Sequence, residues 1–391
     1  MLTGLAVVLL GGVILGAAAQ KLRLPALFGM LLAGILLGPY GLNLIDSSLL
    51  SVSADIRQLA LIIILLRAGL ALDMADLKKI GRPALLMCFV PASLEIIGMV
   101  LLAPPLLSVS VGEAAIMGSV LAAVSPAVVV PKMLHMMERG IGTRRGIPQL
   151  IMAGASADDV YVIVLFTAFT ALVSKGNASA GSLLRVPLAV LSGIGGGLGL
   201  GYALSLLFKQ GRMRDSLKVI ILLGVSCLMP AAEKALEGIF PFSGLLAVMV
   251  MGAMLLRFRP EAAKRLSSKL SKLWLGAEAL LFVLVGATVD IRLALSAGGV
   301  CVLLLLGALV FRMLGVSLCL LGTGFSRKQR LFCMIAYIPK ATVQAAIGGI
   351  PLAMGLACGP MVLTIAVLAI LITAPLGAYG IERAMGLADG E

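Results

Sequence analysis

The chain has 391 residues, 61% of them hydrophobic and only 13% charged, with a formal net charge of +13. Soluble domains are closer to half apolar, so an ordinary soluble fold is excluded and a polytopic all-α membrane protein is expected. Six cysteines (88, 227, 301, 319, 333 and 358) are scattered through apolar segments without a CxxC pair, and His135 is the only histidine. Neither a Cys/His metal centre nor a disulfide framework is expected, and no cofactor is implied.

Thirteen apolar spans follow one another, at about 2–20, 24–42, 56–72, 83–107, 112–134, 147–173, 184–208, 217–232, 241–257, 273–289, 293–322, 329–353 and 360–381. The first resembles a signal peptide ending in Ala17-Ala18-Ala19. It lacks a basic start, however, and the next apolar run follows at once, so it is read as a retained first helix. Of the 31 Lys and Arg residues, 23 fall on one side of the implied membrane, five on the other and three inside the spans. That bias predicts an outside N-terminus and a cytoplasmic C-terminus in the cell (inner) membrane. It also accounts for the net charge: the basic residues are topology signals, and nucleic acid is not expected as a partner. The 46 glycines and 17 prolines suit close-packed and interrupted membrane helices.

An internal repeat runs through the spans. Leu24-Pro25-Ala26-Leu27-Phe28-Gly29 recurs loosely as Phe240-Pro241-Phe242-Ser243-Gly244. Arg67-Ala68-Gly69-Leu70-Ala71-Leu72-Asp73 echoes Leu284-Val285-Gly286-Ala287-Thr288-Val289-Asp290, and Ser125-Pro126-Ala127-Val128-Val129 echoes Ile338-Pro339-Lys340-Ala341-Thr342-Val343. The offsets are 216, 217 and 213 residues, a shift of seven spans. Seven is odd, so the copies have opposite topology, and inverted repeats with interrupted helices mark secondary transporters. The spans at 112–134 and 329–353 are the copies with internal prolines. Pro126, Pro131 and Pro339 are expected as helix breaks, because proline removes an i→i−4 bond and clashes with the preceding turn. A simple kink is the alternative. Glu95 shifted by 217 is Arg312. Equivalent positions of an inverted repeat lie near its axis, so these two are predicted to meet.

Asp158 and Asp159 stand about twelve residues into the span at 147–173, roughly 18 Å along a helix at 1.5 Å per residue. That is near the middle of a hydrocarbon core about 30 Å thick. An acid at that depth marks a functional site, the alternative being a salt-bridged structural Asp. Neighbouring side chains on a helix point about 100° apart, so the two carboxylates have different tasks. A buried carboxylate, balanced between burial and nearby cations, binds a proton or a small cation but not both well. That competition is the simplest engine for cation/proton antiport. Na+ or Li+ takes oxygen ligands, and the candidates are Asp159, Asp158, Ser156, Ser125, Thr342 and main chain freed by Pro126. Polar helix-packing contacts are the alternative for the three hydroxyls. Lys340 is expected to neutralise the C-terminal end of a half-helix, with a proton-carrying lysine as the alternative. Arg312 keeps its proton and is read as a structural cation. Arg67 lies near a span end, where it either joins the deep charges or snorkels to the interface.

At these residues the sequence resembles the NHA-type sodium/proton antiporters of the monovalent cation:proton antiporter superfamily. The carrying stretches are Leu24-Pro25-Ala26-Leu27-Phe28-Gly29-Met30-Leu31-Leu32-Ala33-Gly34, Ser125-Pro126-Ala127-Val128-Val129-Val130-Pro131, the Asp158-Asp159 pair, and the run from Pro339 to Gly348. The ending Leu371-Ile372-Thr373-Ala374-Pro375-Leu376-Gly377 also fits. The resemblance implies a homodimer in membrane lipid and an elevator-like motion of an ion-transporting core at 56–173 and 273–381. Residues 1–55 and 184–257 would supply the dimerisation scaffold. It also implies two crossed discontinuous helices, with Asp159 binding cation and proton and Asp158 pairing with a base. That base is often Lys in electrogenic relatives; here Arg312 stands in its place. With Glu95 available to hold Arg312, Asp158 would be freed, and electroneutral exchange is expected. The chain has no long soluble tail, so the regulatory domains of some larger exchangers are expected to be absent, as in a bacterial or otherwise minimal form.

Other readings predict different residues. An intramembrane aspartyl protease needs two Asp on separate helices and a GxGD motif, and neither is present. A K+-coupled or channel-like member of the same fold is an alternative, since sequence does not fix selectivity. An organic-anion carrier is disfavoured by three deep acids.

Overall fold

The computed structural model describes residues 1–71, 81–174, 180–210, 213–236 and 239–389. Asp73 of the repeat and the side chain of Ser156, like those of 180–187, 210 and 295, lie outside the described residues. Among the described residues there is no strand. The helices are α1 (Leu2–Lys21), α2 (Ala26–Leu37), α3 (Ser47–Ser51), α4 (Ser53–Ala71), α5 (Arg82–Met87), α6 (Val90–Leu107), α7 (Val111–Leu121), α8 (Pro126–Glu138) and α9 (Ile147–Ser174). They continue with α10 (Ala180–Gln210), α11 (Asp215–Ala235), α12 (Gly244–Phe258), α13 (Pro260–Ala287), α14 (Ile291–Cys319), α15 (Arg327–Ala336), α16 (Thr342–Ile347), α17 (Ile350–Ala353) and α18 (Gly359–Asp389). Nine helical stretches among them are long and apolar enough to cross a membrane, and shorter apolar helices stand at Ala26–Leu37, Gly244–Phe258 and Thr342–Ala353. The protein is therefore an all-helical, multi-pass membrane protein. Each of the thirteen apolar spans carries helix, but several are short or interrupted rather than single spanning rods.

The helices group into two compact units. One comprises Met1–Ala54, Met74–Phe166 and Ala279–Glu391; the other comprises Asp55–Asp73 and Thr167–Glu278. In the second unit α10 packs along α12. Arg67 there lies over the ring of Trp274, 5.5 Å from its centroid, and interacts electrostatically with Glu278. Glu278 thus adds an acid to the deep charges that the sequence reading counted.

In the first unit, α1 packs along α2 and α6 along α14. The buried stripe of α6 reads Ala92, Glu95, Met99 and Ala103, and that of α14 reads Leu305, Ala308, Arg312 and Val316. Spacings of three and four residues put each set on one helical face. The packing of these two faces sets Glu95 opposite Arg312. On α9 the stripe is Ile151, Ala155, Asp158 and Val162. Asp158 thus falls on the apolar, inward face, with Asp159 turned about 100° away.

Two glycines bring α2 against the end of α13. A Cβ on Gly34 would run into the carbonyl oxygen of Val283, and one on Gly286 into that of Leu31. Each therefore lets α2 and the end of α13 meet backbone to backbone, as small residues do in membrane helices. Gly286→Val is expected to force them apart at a cost of about 1–3 kcal/mol for overpacking. The check is a thermal melt of the purified protein in detergent; an unshifted midpoint would contradict the close approach.

Besides the short turns at 88–89 and 348–349, two spans are interrupted by non-helical stretches. After α7 ends at Leu121, residues 122–125 are not helical before α8 begins at Pro126. After α15 ends at Ala336, residues 337–341 are not helical before α16 begins at Thr342. Pro126 takes the first turn of α8, where its missing N–H is no loss. Pro339 lies within the second interruption. Pro131 does not break the chain: it sits inside α8, which continues to Glu138. One proline removes one backbone bond, and the buried neighbours Val129 and Met133 hold the helix through it.

Candidate functional site

The two interruptions touch, and the reason lies in unpaired backbone. A helix leaves its last carbonyls without N–H partners, and in a buried setting each needs a donor. At the end of α7, the Leu121 carbonyl accepts from Lys340 Nζ at 2.6 Å and from Gln344 Nε2 at 3.2 Å. The Ala122 carbonyl accepts from Arg312 Nη1, and that of Ala123 from Gln344 Nε2 at 2.9 Å. The N–H groups that follow are also taken. Val124 N donates to Asp158 Oδ2 at 3.0 Å, and Ser125 N donates to the carbonyl of Pro339 at 2.8 Å. From the other interruption, the Tyr337 carbonyl accepts from Arg312 Nε at 2.9 Å, and Lys340 N donates to Thr373 Oγ1 at 2.9 Å. Both cations thus sit where the helix dipole of α7 ends negative.

The side-chain charges interlock. Arg312 Nη1 lies 2.8 Å from Glu95 Oε2, and Arg312 Nη2 lies 2.7 Å from Asp158 Oδ2. Lys340 Nζ lies 2.6 Å from Glu95 Oε1. All four side chains are fully buried. Burying any one of these charges alone costs several kcal/mol, so the cluster persists only because the charges and the helix ends satisfy each other. Arg312 also stacks over Tyr337, with its Cζ 5.4 Å from the ring centroid.

The charge count leaves one acid over. Arg312 and Lys340 are matched by Glu95 and Asp158, while Asp159 pairs with neither. Its side chain is only 6% exposed, and Asp159 Oδ1 is buried with no hydrogen-bond partner among the described residues. Ser125 Oγ, Thr342 Oγ1, Asp158 Oδ1 and Gln344 Oε1 are likewise buried and unpartnered. Buried polar atoms are nearly always paired, so such a set of oxygens is exceptional. Oxygens of this kind suit a hard cation.

At the site the sequence reading and the structure differ in one respect. Asp158 is not freed by Glu95: Arg312 is long enough to hold both carboxylates at once. The carbonyls of residues 121–123 accept hydrogen bonds from Lys340, Arg312 and Gln344. Glu95 and Arg312 meet, Lys340 sits at the end of α7, and Ser125 stands at the N-terminus of α8. The sequence reading did not single out Gln344, Tyr337 and Thr373. Gln344 alone gave a signal, as a lone amide in the apolar run after Thr342.

Residues 5–384 match the family described as "Sodium/hydrogen exchanger, transmembrane". The chain is 35% identical over 369 residues to sodium/hydrogen exchanger 9B2 of Mus musculus, covering 90% of this chain and 66% of that protein. It is 35% identical over 386 residues to the Homo sapiens 9B2 protein, covering 94% and 71%. To sodium/hydrogen exchanger 9B1 of Homo sapiens it is 32% identical over 400 residues, covering 96% and 76%. The chain thus spans about two thirds to three quarters of the length of these relatives. Among solved structures, the sodium proton antiporter MjNhaP1 from Methanocaldococcus jannaschii at pH 8 aligns with a TM-score of 0.84 and 22% identity, over 99% of this chain and 98% of that one. At that identity the likeness speaks for the fold alone.

Proposed function

The chain belongs to the transmembrane sodium/hydrogen exchanger family, as an NHA-type member of a family of transporters rather than enzymes, and from that premise we propose that it exchanges Na+ or Li+ for H+ at Asp159. The carrying observation is the surplus carboxylate. In a cluster where every other charge is paired, Asp159 alone is buried without a counterion among the described residues. A carboxylate in that position takes up either a proton or a small cation, and the two exclude each other. Cation release to one side and proton uptake from it, followed by the reverse on the other, is antiport by alternating access. Ser125 and Thr342 complete the oxygen set, with Ser156 as the neighbour one turn before Asp159 in sequence.

Electroneutral exchange follows from the same pairing. Asp158 faces a guanidinium that does not deprotonate. Lys340 is held by Glu95 and by the Leu121 carbonyl. That leaves one site, and one proton exchanged for one monovalent cation. In this reading the chain makes thirteen crossings, with spans 112–134 and 329–353 as crossed discontinuous helices. The N-terminus lies outside, the C-terminus in the cytoplasm, and the protein works as a homodimer in a cell (inner) membrane. The core at 56–173 and 273–381 moves against the scaffold at 1–55 and 184–257.

The test uses proteoliposomes with an acidic lumen. Adding Na+ or Li+ is expected to make the lumen alkaline at a rate that clamping the voltage does not change. Dependence on the clamp would overturn one-for-one exchange. No response to Na+, Li+ or K+ would overturn the antiport reading in favour of an organic-solute carrier or a channel.

A further inference from the structure

Gln344 is fully buried, on α16, at the second interruption. A side-chain amide has two N–H donors and one carbonyl oxygen. Both donors of Gln344 are spent on the first interruption, one on the Leu121 carbonyl and one on that of Ala123. Because both neighbours are acceptors, the nitrogen must face them, and the amide cannot be flipped. Its oxygen is therefore held in the opposite direction, and Gln344 Oε1 is buried there with no donor. The residue two positions earlier is Thr342, whose Oγ1 is buried and unpartnered as well. The Ala123 carbonyl that Gln344 grips is next to Val124, whose N–H binds Asp158, and two residues from Ser125, whose Oγ is also unpartnered. One amide thus joins both interruptions, and its oxygen is one of the buried, unpartnered oxygens that include Asp159 Oδ1.

We infer that Gln344 Oε1 is a neutral ligand of the transported alkali cation, fixed in place by the two hydrogen bonds its nitrogen makes to Leu121 and Ala123. This rests on the assignment of Asp159 as the exchanging acid. Asp159 supplies the charge and the competition with the proton, while Gln344 supplies a dipole whose position tunes the fit between Na+ and Li+.

The experiment measures thermal stabilisation of the full chain in detergent against NaCl and LiCl, with choline chloride as the ionic-strength control. Na+ transport kinetics in proteoliposomes are measured alongside. A cation that binds only the folded protein raises the melting temperature. In Gln344→Met, which keeps the volume but has neither donors nor oxygen, the Na+ needed for half the shift and the transport KM are both expected to rise about tenfold. The maximal rate should change much less, and the Na+ to Li+ preference should change. Gln344→Glu keeps the side-chain length and an oxygen, and carries the test if the methionine variant does not fold; its Na+ to Li+ preference is expected to shift. A lower melting temperature with an unchanged Na+ midpoint and an unchanged Na+ to Li+ ratio would make Gln344 structural only and overturn the inference. Asp159→Asn separates the two claims. If it keeps the Na+ shift, the assignment of Asp159 fails; if it loses the shift while the Gln344 variants keep the wild-type midpoint and ratio, only the Gln344 inference fails.

Discussion

Asp159→Asn is expected to reduce Na+-driven proton movement in proteoliposomes to background, a loss of about 100-fold or more, because an amide neither holds a negative charge nor exchanges a proton. The amide has nearly the same shape, so the surrounding packing survives. Asp158 cannot take over, since its Oδ2 is engaged by Arg312 and by the Val124 N–H. The substitution also removes the one buried charge of the cluster that is unpaired among the described residues. An unpaired buried charge is costly, so the variant is expected to melt no lower than the wild type. Inactive yet at least as stable is a combination that general misfolding does not produce. Wild-type transport in this variant would remove Asp159 from its role.

Glu95→Gln is expected to have the opposite signature, destabilising first and affecting transport as a consequence. Glu95 is the carboxylate that both cations share, through Oε2 to Arg312 and Oε1 to Lys340. Removing one partner of a buried ion pair costs about 3–5 kcal/mol. Arg312 keeps Asp158 and the carbonyls of Ala122 and Tyr337, so the larger loss falls on Lys340, which keeps only the Leu121 carbonyl. The charge count also changes. With Glu95 neutral, two cations face two aspartates, and Asp159 is no longer surplus, so transport is expected to fall as well. Combining Glu95→Gln with Lys340→Met removes the unmatched cation and should recover part of the stability, since neighbours in one network are not additive. A melting midpoint equal to wild type in Glu95→Gln would mean that the pairing contributes nothing to the fold.

The all-helical, multi-pass architecture was legible because long apolar runs are local properties of a sequence. The meeting of Glu95 and Arg312 was legible for a different reason: the offset of 217 residues between the matching sequence stretches maps one onto the other, and such a match is a long-range statement that sequence can carry. What escaped depends on reach. A guanidinium spans enough distance to join Glu95, Asp158 and two carbonyls, and nothing in the spacing of those residues fixes how many it holds. Capping by Gln344 was hidden similarly, because its partners lie more than 200 positions away in the other copy. The prolines show how position decides effect. Pro126 starts a helix and costs nothing, whereas Pro131, five residues on, is absorbed inside the same helix by well-packed neighbours. Glu278 escaped because it belongs to the other unit, where its relation to Arg67 follows from the packing of α4 and α13 rather than from the repeat.

The central claim is that cation and proton compete for one carboxylate. The most direct measurement counts protons released when NaCl is added to the purified protein in weakly buffered detergent solution, over a series of starting pH values. The account predicts release approaching one proton per bound Na+ where Asp159 begins protonated, falling away as pH rises, and no release in Asp159→Asn. Sodium binding without proton release at any pH, or the same release from Asp159→Asn, would contradict it.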